Sequence, residues 1–280
     1  MKTTEEVAAE QKAFWDGPGG ERWIASWERI QRTVTPFGEA ALKEAAARPG
    51  EQVLDVGCGT GQTTADLANA VGANGRVLGV DISAQLIAVA RAEEIPNASF
   101  ALGDAATHPF EPFAYDLIFS RFGVMFFADP VAAFDGFRRA LKQTGRIVFV
   151  CWRTPQENPW MTLPVRTAMP FLPAIERPGP EDPGPFSFGD QARVQRIFEQ
   201  AGLAAPSFKP LDQSLRIGAT IDEALDNLGR FGPLVKPFAE AAPDQLAKAK
   251  AAIAEMLRPY VKPDGVYLDG ACWLVRTQRR

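Results

Sequence analysis

The segment Val53-Leu54-Asp55-Val56-Gly57-Cys58-Gly59-Thr60-Gly61 constrains this chain more than any other. A β-branched, apolar run passes directly into three alternate glycines, and helical spacing resumes at Gln62, so a strand must turn sharply into a helix. Glycines suit such a turn because φ > 0, or a ligand lying against the backbone, leaves no room for a Cβ. A dinucleotide turn reads G-x-G-x-x-G, with the pyrophosphate on the helix N-terminus. Here the spacing is G-x-G-x-G and position 62 is Gln, so the third glycine is out of register for a nicotinamide dinucleotide.

From about Glu51 to Trp152, short β-branched or apolar runs alternate with helical segments, the pattern of β-α-β units and a parallel sheet. The runs predict strands at Gln52–Val56, Arg76–Asp81, Ser99–Gly103, Tyr115–Ser120 and Arg146–Cys151. Apolar residues at three- and four-residue spacing predict helices over Gln62–Val71, Ala84–Glu94 and Val131–Leu141. The fold class that follows is α/β, a doubly wound sheet.

The rest of the chain reads as elaboration of that core. Residues 1–47 form an N-terminal helical cap holding Phe14, Trp15, Trp23 and Trp27, with Gly17-Pro18-Gly19-Gly20 breaking it into two helical pieces. The cofactor-binding core covers 48–152. Residues 153–280 supply lid elements and the last strands, without a core of their own, so that 1–280 make one domain. Thr154 to Pro185 is so dense in proline, Pro178 and Pro180 included, that loop or short helix is expected there. Beyond it come a helix at Asp190–Ala201, a strand near Ser207–Leu211, a helix opened by a Thr220/Glu223 capping box, a helix at Asp244–Leu257 and a last strand over Gly265–Val275.

Charge and composition narrow the function. Thirty basic against 34 acidic residues give a net charge of -4, and no Lys/Arg cluster reads as a phosphate-binding stripe, so nucleic acid is not an expected partner. No stretch approaches the ~20 apolar residues of a membrane span, and the mixed charges of the first residues do not make a signal peptide, so a cytoplasmic location is expected. Cys58, Cys151 and Cys272 stand far apart, which suggests neither disulfides nor a thiolate metal site.

Acids mark the strand ends beside the glycine turn. Asp81 closes the second strand where one carboxylate meets both hydroxyls of a ribose. Gly103-Asp104-Ala105 closes the third, placing an acid within reach of an adenine amino group. Three consecutive strand ends therefore converge on one nucleoside.

The D-V-G-C-G-T-G turn, Asp81, the Gly103-Asp104-Ala105 step and the Tyr115-Asp116-Leu117-Ile118 strand resemble the class I S-adenosylmethionine-dependent methyltransferases. The branch they resemble is the small-molecule one that includes the ubiquinone and menaquinone biosynthesis enzymes. The resemblance covers roughly residues 50–152. It implies a Rossmann-like sheet of seven mostly parallel strands whose last, antiparallel strand lies near Val266–Val275, and S-adenosyl-L-methionine as cofactor. By the same resemblance Gly57, Gly59 and Gly61 lie against the methionine part, Asp81 holds the ribose, and Asp104 with Ala105 and Ile82 flanks the adenine. Asp55 orients the loop and approaches the amino group, and Ser120 and Arg121 sit by the methionine moiety and the substrate.

Some residues keep a structural alternative. His108, the only histidine, is a candidate general base at the cofactor rim, with packing or capping as the other reading. Trp23 is the candidate among the cap tryptophans to face the sulfonium, as a ring favours a cation; stapling the cap is its alternative. Arg121 and Arg153 read as anion-binding groups or as salt-bridge partners. The reaction implied is in-line methyl transfer to a small-molecule acceptor, driven by positioning rather than by a dedicated base, and no metal is called for. Two readings compete with it: a nicotinamide-dependent oxidoreductase, and a non-methylating protein that binds S-adenosylmethionine.

Overall fold

The alternation of runs in the sequence becomes one mixed sheet with helices on both faces. The computed structural model describes residues 2–173, 179 and 181–280. Three helices come first: α1 (Thr4–Trp15), α2 (Pro18–Ala25) and α3 (Trp27–Ala45). The core follows as β1 (Gln52–Val56), α4 (Gln62–Val71), β2 (Arg76–Asp81), α5 (Ala84–Ala92), β3 (Ala98–Leu102), β4 (Tyr115–Arg121), α6 (Pro130–Ala140) and β5 (Leu141–Trp152). Then come α7 (Pro159–Ala168), α8 (Gln191–Gln200), β6 (Ser207–Gly218), α9 (Ile221–Arg230), α10 (Val235–Glu240), α11 (Pro243–Leu257), the two-residue β7 (Val261–Lys262) and β8 (Gly265–Gln278).

The strand order is β3-β2-β1-β4-β5-β8-β6, with β7 paired to β8 outside that path. β1 to β5 run parallel, whereas β8 is antiparallel to both β5 and β6. The order reverses between β1 and β4. In an open α/β sheet the crevice at such a switch point, outside the carboxyl ends of the strands, is where ligands bind.

Each face buries its own aromatic group. Phe134 and Phe137 of α6 and Phe198 of α8 pack with Phe149 of β5 and with Phe188. On the opposite face Phe37 of α3 meets Trp152 at 5.1 Å and Phe122 at 6.1 Å. Phe37, Phe134, Phe149 and Phe198 are fully buried, and each stabilises the layering by roughly 1.5–3 kcal/mol.

The peripheral parts depart from the sequence reading in three ways. Gly19 and Gly20 lie inside α2 instead of breaking the cap, which therefore has three helices; a Cβ on Gly20 would stand 2.3 Å from the Trp15 carbonyl and 3.1 Å from Ser83 Oγ. Close approach is what these glycines supply, and it is fixed by Asp16, which accepts from the Ala84 N–H at 2.8 Å. β6 continues to Gly218, and the Thr220 hydroxyl caps α9 while Glu223 takes the Ala219 N–H rather than that of Thr220. The lid also has a buried cluster of its own, in which Ala168, Ala224, Leu234, Phe238, Ile253 and Leu257 pack on Val266 and Leu268 of β8. Trp160 packs against this cluster and the main core alike. In the proline-dense stretch α7 forms with Pro159 in its first turn, where no N–H is needed, and Pro164 inside; Pro178 and Pro180 lie outside the described residues.

Candidate active site

The glycine turn sits at the switch point in a conformation that only glycine adopts freely. Gly57, Gly59 and Gly61 have φ of 67°, 57° and 87°. A Cβ on Gly57 would stand 2.8 Å from Gly123 Cα, so the turn after β1 and the turn after β4 lie back to back. Phe122, between Arg121 and Gly123, is itself at φ 63°, an uncommon conformation for a bulky residue that marks this turn as constrained. Its ring stacks on Trp152 at 4.6 Å.

Asp81 ties the glycine turn to β2. Its Oδ2 accepts from the Gly59 N–H and its Oδ1 from the Ser83 N–H, both at 2.9 Å. A carboxylate has about four acceptor positions, so with these N–H groups and that of Ile82 beside it Asp81 keeps room for a ribose hydroxyl. Asp104 accepts from the Ala106 N–H through Oδ1 at 2.9 Å, which shapes the turn after β3. Asp81, Ile82, Asp104 and Ala105 all line one cavity with Gly57, Gly59 and Thr60.

Asp55 lies behind that wall. It is fully buried, and its Oδ2 accepts from Thr63 and Thr64 at 2.7 Å each. Its Oδ1 has no partner, and burial pushes the carboxyl up to about 6. Thr63 lines the cavity in front of it.

The cavity measures about 1700 Å³, beyond the roughly 300–1000 Å³ of an ordinary small-ligand pocket, and so has room for two ligands. Trp15, Trp23, Phe126 and Phe231 meet over it, with ring centroids 5.1–6.0 Å apart. Trp23 thereby joins the cap to the lid, and Arg29 and Asp226 do so again at 3.5 Å. The Trp23 Nε1–H is buried without a partner, facing Gly59. Thr60 Oγ1 and Asn227 Oδ1, on residues lining the same cavity, are also buried without partners.

Other sequence-selected residues fall elsewhere. The Ser120 hydroxyl donates to the Val56 carbonyl at 2.8 Å and accepts from the Gly123 N–H at 3.1 Å, so it fastens β4 to β1 from inside the sheet edge rather than facing the cavity. His108 packs on Phe110 at 4.7 Å, off the cavity lining. Arg153 is held by Glu157, by Asp212 at 2.9 Å and by the Trp273 ring, a structural arrangement. Arg121 does line the cavity. Phe122, Gly123, Gln31 and Asn227 escaped sequence reasoning; the Phe-Gly pair directly after a strand end was the one available signal. Among the described residues no helix is long and apolar enough to cross a membrane, and no cluster of His, Cys, Asp or Glu has metal-site geometry.

A glycine turn at the switch point with acids at the next two strand ends defines an enzyme that binds a nucleoside cofactor. The chain belongs to the methyltransferase-domain family, whose pattern matches residues 47–202, and is an S-adenosylmethionine-dependent methyltransferase. It is 31% identical over 179 residues to the demethylmenaquinone methyltransferase of Staphylococcus saprophyticus, covering 58% of this chain and 74% of that one. Its fold is similar to that of the YcgJ protein of Bacillus subtilis, with a TM-score of 0.58 at 19% identity over 87% of this chain and 97% of that one. A putative methyltransferase of Bacillus halodurans gives 0.57 at 18% identity over 86% and 98%. The nicotinamide reading falls with this family assignment, as the glycine register already required.

Proposed function

We propose that this methyltransferase acts on a small, largely apolar acceptor enclosed between the helical cap and the lid. The observation that carries the reading is that one cavity joins the glycine turn, Asp81 and Asp104 to a chamber walled by Trp15, Trp23, Phe126 and Phe231. The name of the staphylococcal relative, a methyltransferase of demethylmenaquinone, supports an acceptor of this kind.

The residues present fit the cofactor: Gly57 and Gly59 line the cavity with bare backbone, Asp81 keeps a free acceptor position, and Trp23 Nε1 and Thr60 Oγ1 are buried without partners. When bound, S-adenosylmethionine supplies a methyl group on a sulfonium sulfur, open to displacement by a nucleophile. In this reading Gly57 and Gly59 take the methionine end, Asp81 the ribose hydroxyls, and Ile82, Asp104 and Ala105 the adenine, whereas Gly61 lies off the cavity lining, against Ala90 and Phe100, and serves the turn into α4. Asp55 acts through the shape and charge of the turn, and Trp23 covers it from the cap. Ser120 positions β4.

Catalysis then rests on alignment and exclusion of water. Holding two reactants in line is worth roughly 7–11 kcal/mol in favourable cases. With His108 outside the cavity lining, the acceptors that fit are those already nucleophilic, such as enolates, acidic phenols, thiols or amines.

Calorimetric titration with S-adenosylmethionine, S-adenosylhomocysteine and NAD, followed by an acceptor panel scored for S-adenosylhomocysteine release, tests the reading. Asp81→Ala is expected to weaken cofactor binding by about 1.5–3 kcal/mol, the worth of hydrogen bonds to a charged group. Unchanged affinity would remove the ribose assignment, and cofactor binding without turnover of any apolar acceptor would favour a non-methylating role.

A further inference from the structure

Arg121 ends β4 inside the site without the partners an enclosed guanidinium needs. A single N–H finds an acceptor, Gln31 Oε1 at 3.0 Å, and among the described residues no carboxylate comes within ion-pair distance. The acids nearest in effect, Asp55 and Asp66, act only through space, while burial pulls its pKa down. A guanidinium carries five N–H donors, and one neutral hydrogen bond leaves most of them to face the cavity.

Two other enclosed arginines, Arg146 and Arg153, show what structural use looks like in this fold. Arg146 holds Glu51 through two N–H groups and caps the Ala45 and Ala46 carbonyls. Arg153 is taken up by Glu157 and Asp212. Arg121 has neither arrangement, yet room is made for it: a Cβ on Gly38 of α3 would stand 2.9 Å from Arg121 Cδ. Gln31 on the same helix fixes its orientation, and the side chain lines the cavity beside Phe122 and Gly57.

We propose that Arg121 binds a carboxylate of a ligand in this cavity, completing the fork that the protein leaves unpaired. The proposal rests on the cofactor reading above and deepens it. Two ligands can supply the group: the amino-acid end of the cofactor, or an acid group on the acceptor. The first is favoured by Asp55 behind the cavity wall, whose negative charge, attracting Arg121 through space, gives this end of the glycine turn a charge of each sign to match an α-ammonium and an α-carboxylate.

The test is calorimetric titration of wild type, Arg121→Met and Arg121→Lys with three nucleosides. S-adenosylhomocysteine carries the carboxylate, decarboxylated S-adenosylmethionine lacks it, and 5′-methylthioadenosine lacks the whole amino-acid end. Arg121→Met is expected to weaken S-adenosylhomocysteine about 10- to 100-fold, leaving the other two within about 2-fold and the lysine variant in between. The second arm compares dodecanoate with dodecanol on protein saturated with S-adenosylhomocysteine. A preference for dodecanoate that Arg121→Met abolishes, with nucleoside affinities unmoved, assigns the carboxylate to the acceptor and also supports the proposal.

If methylthioadenosine binding survives in Arg121→Met and neither ratio moves, the proposal is overturned. If that variant loses methylthioadenosine as well, Arg121→Lys carries the same comparison, and equal loss of all ligands there marks a structural arginine and overturns it. A wild type that binds none of the nucleosides removes the cofactor reading, and the proposal with it.

Discussion

Asp55 places a carboxylate where water cannot reach it, between two threonine hydroxyls, with one oxygen left without a partner. Burial outweighs the two hydroxyl bonds and raises its pKa from 3.8 to about 6. Between those values the folded state holds the proton more tightly than the unfolded chain, so stability falls as pH rises through this window, and the loss is complete above it. The shift corresponds to roughly 3 kcal/mol of destabilisation at neutral pH. Asp55→Asn keeps an oxygen for Thr63 and Thr64 and removes the buried charge. Urea unfolding should find this variant more stable than wild type at pH 8, with the gap closing towards pH 4, while S-adenosylhomocysteine affinity falls. Lower stability of the variant at pH 8 would show that the ionised carboxylate is a net stabilising group. A site acid held at such a cost to folding is consistent with selection for binding.

The glycine turn is built against its neighbouring turn, and that gives an element-scale prediction. Gly57 combines φ 67° with a backbone contact, since a Cβ there would stand 2.8 Å from Gly123 Cα. Gly50 has φ 84° with nothing within 4 Å of its added Cβ. Gly50→Ala should therefore cost only the left-handed strain, about 1–2 kcal/mol, and leave cofactor affinity alone. Gly57→Ala should cost more, because it also drives the two turns apart, and should weaken S-adenosylhomocysteine binding. Thermal unfolding and calorimetry of the pair check this; equal costs and equal affinities would mean that the two turns do not depend on each other.

At the scale of the whole molecule, β6 and β8 run through both the main sheet and the lid, and Trp160 packs against both buried clusters. From that continuity we expect one cooperative unit. Urea unfolding followed by far-UV and near-UV circular dichroism and by tryptophan fluorescence should give coincident single transitions. Separate midpoints would divide the chain into two domains at the lid. Saturating S-adenosylhomocysteine should shift the whole transition, since a ligand bound only by the folded state stabilises by mass action. The cap and lid meet through Trp23 with Phe231 and through Arg29 with Asp226, so closure over the site belongs to the molecule and to no single element.

The sequence by itself determined the alternation of strands and helices, the sharp turn at Gly57, Gly59 and Gly61, and the acids Asp81 and Asp104 at the two following strand ends. These follow from short-range regularities: side-chain periods of 2 and 3.6, the φ freedom of glycine, and the rule that puts ligands at the carboxyl ends of a parallel sheet. Ser120 and Arg121 mark the limit of such reasoning. They are adjacent at one strand end, and pleating sends one into the fastening of β4 to β1 and the other into the cavity. Only the tertiary structure decided that Arg121 meets a glutamine 90 residues away and no acid, that Gly19 and Gly20 are for close packing, and that the lid has its own buried cluster. Partners so distant along the chain are selected by packing and charge balance in three dimensions, and no local pattern encodes them.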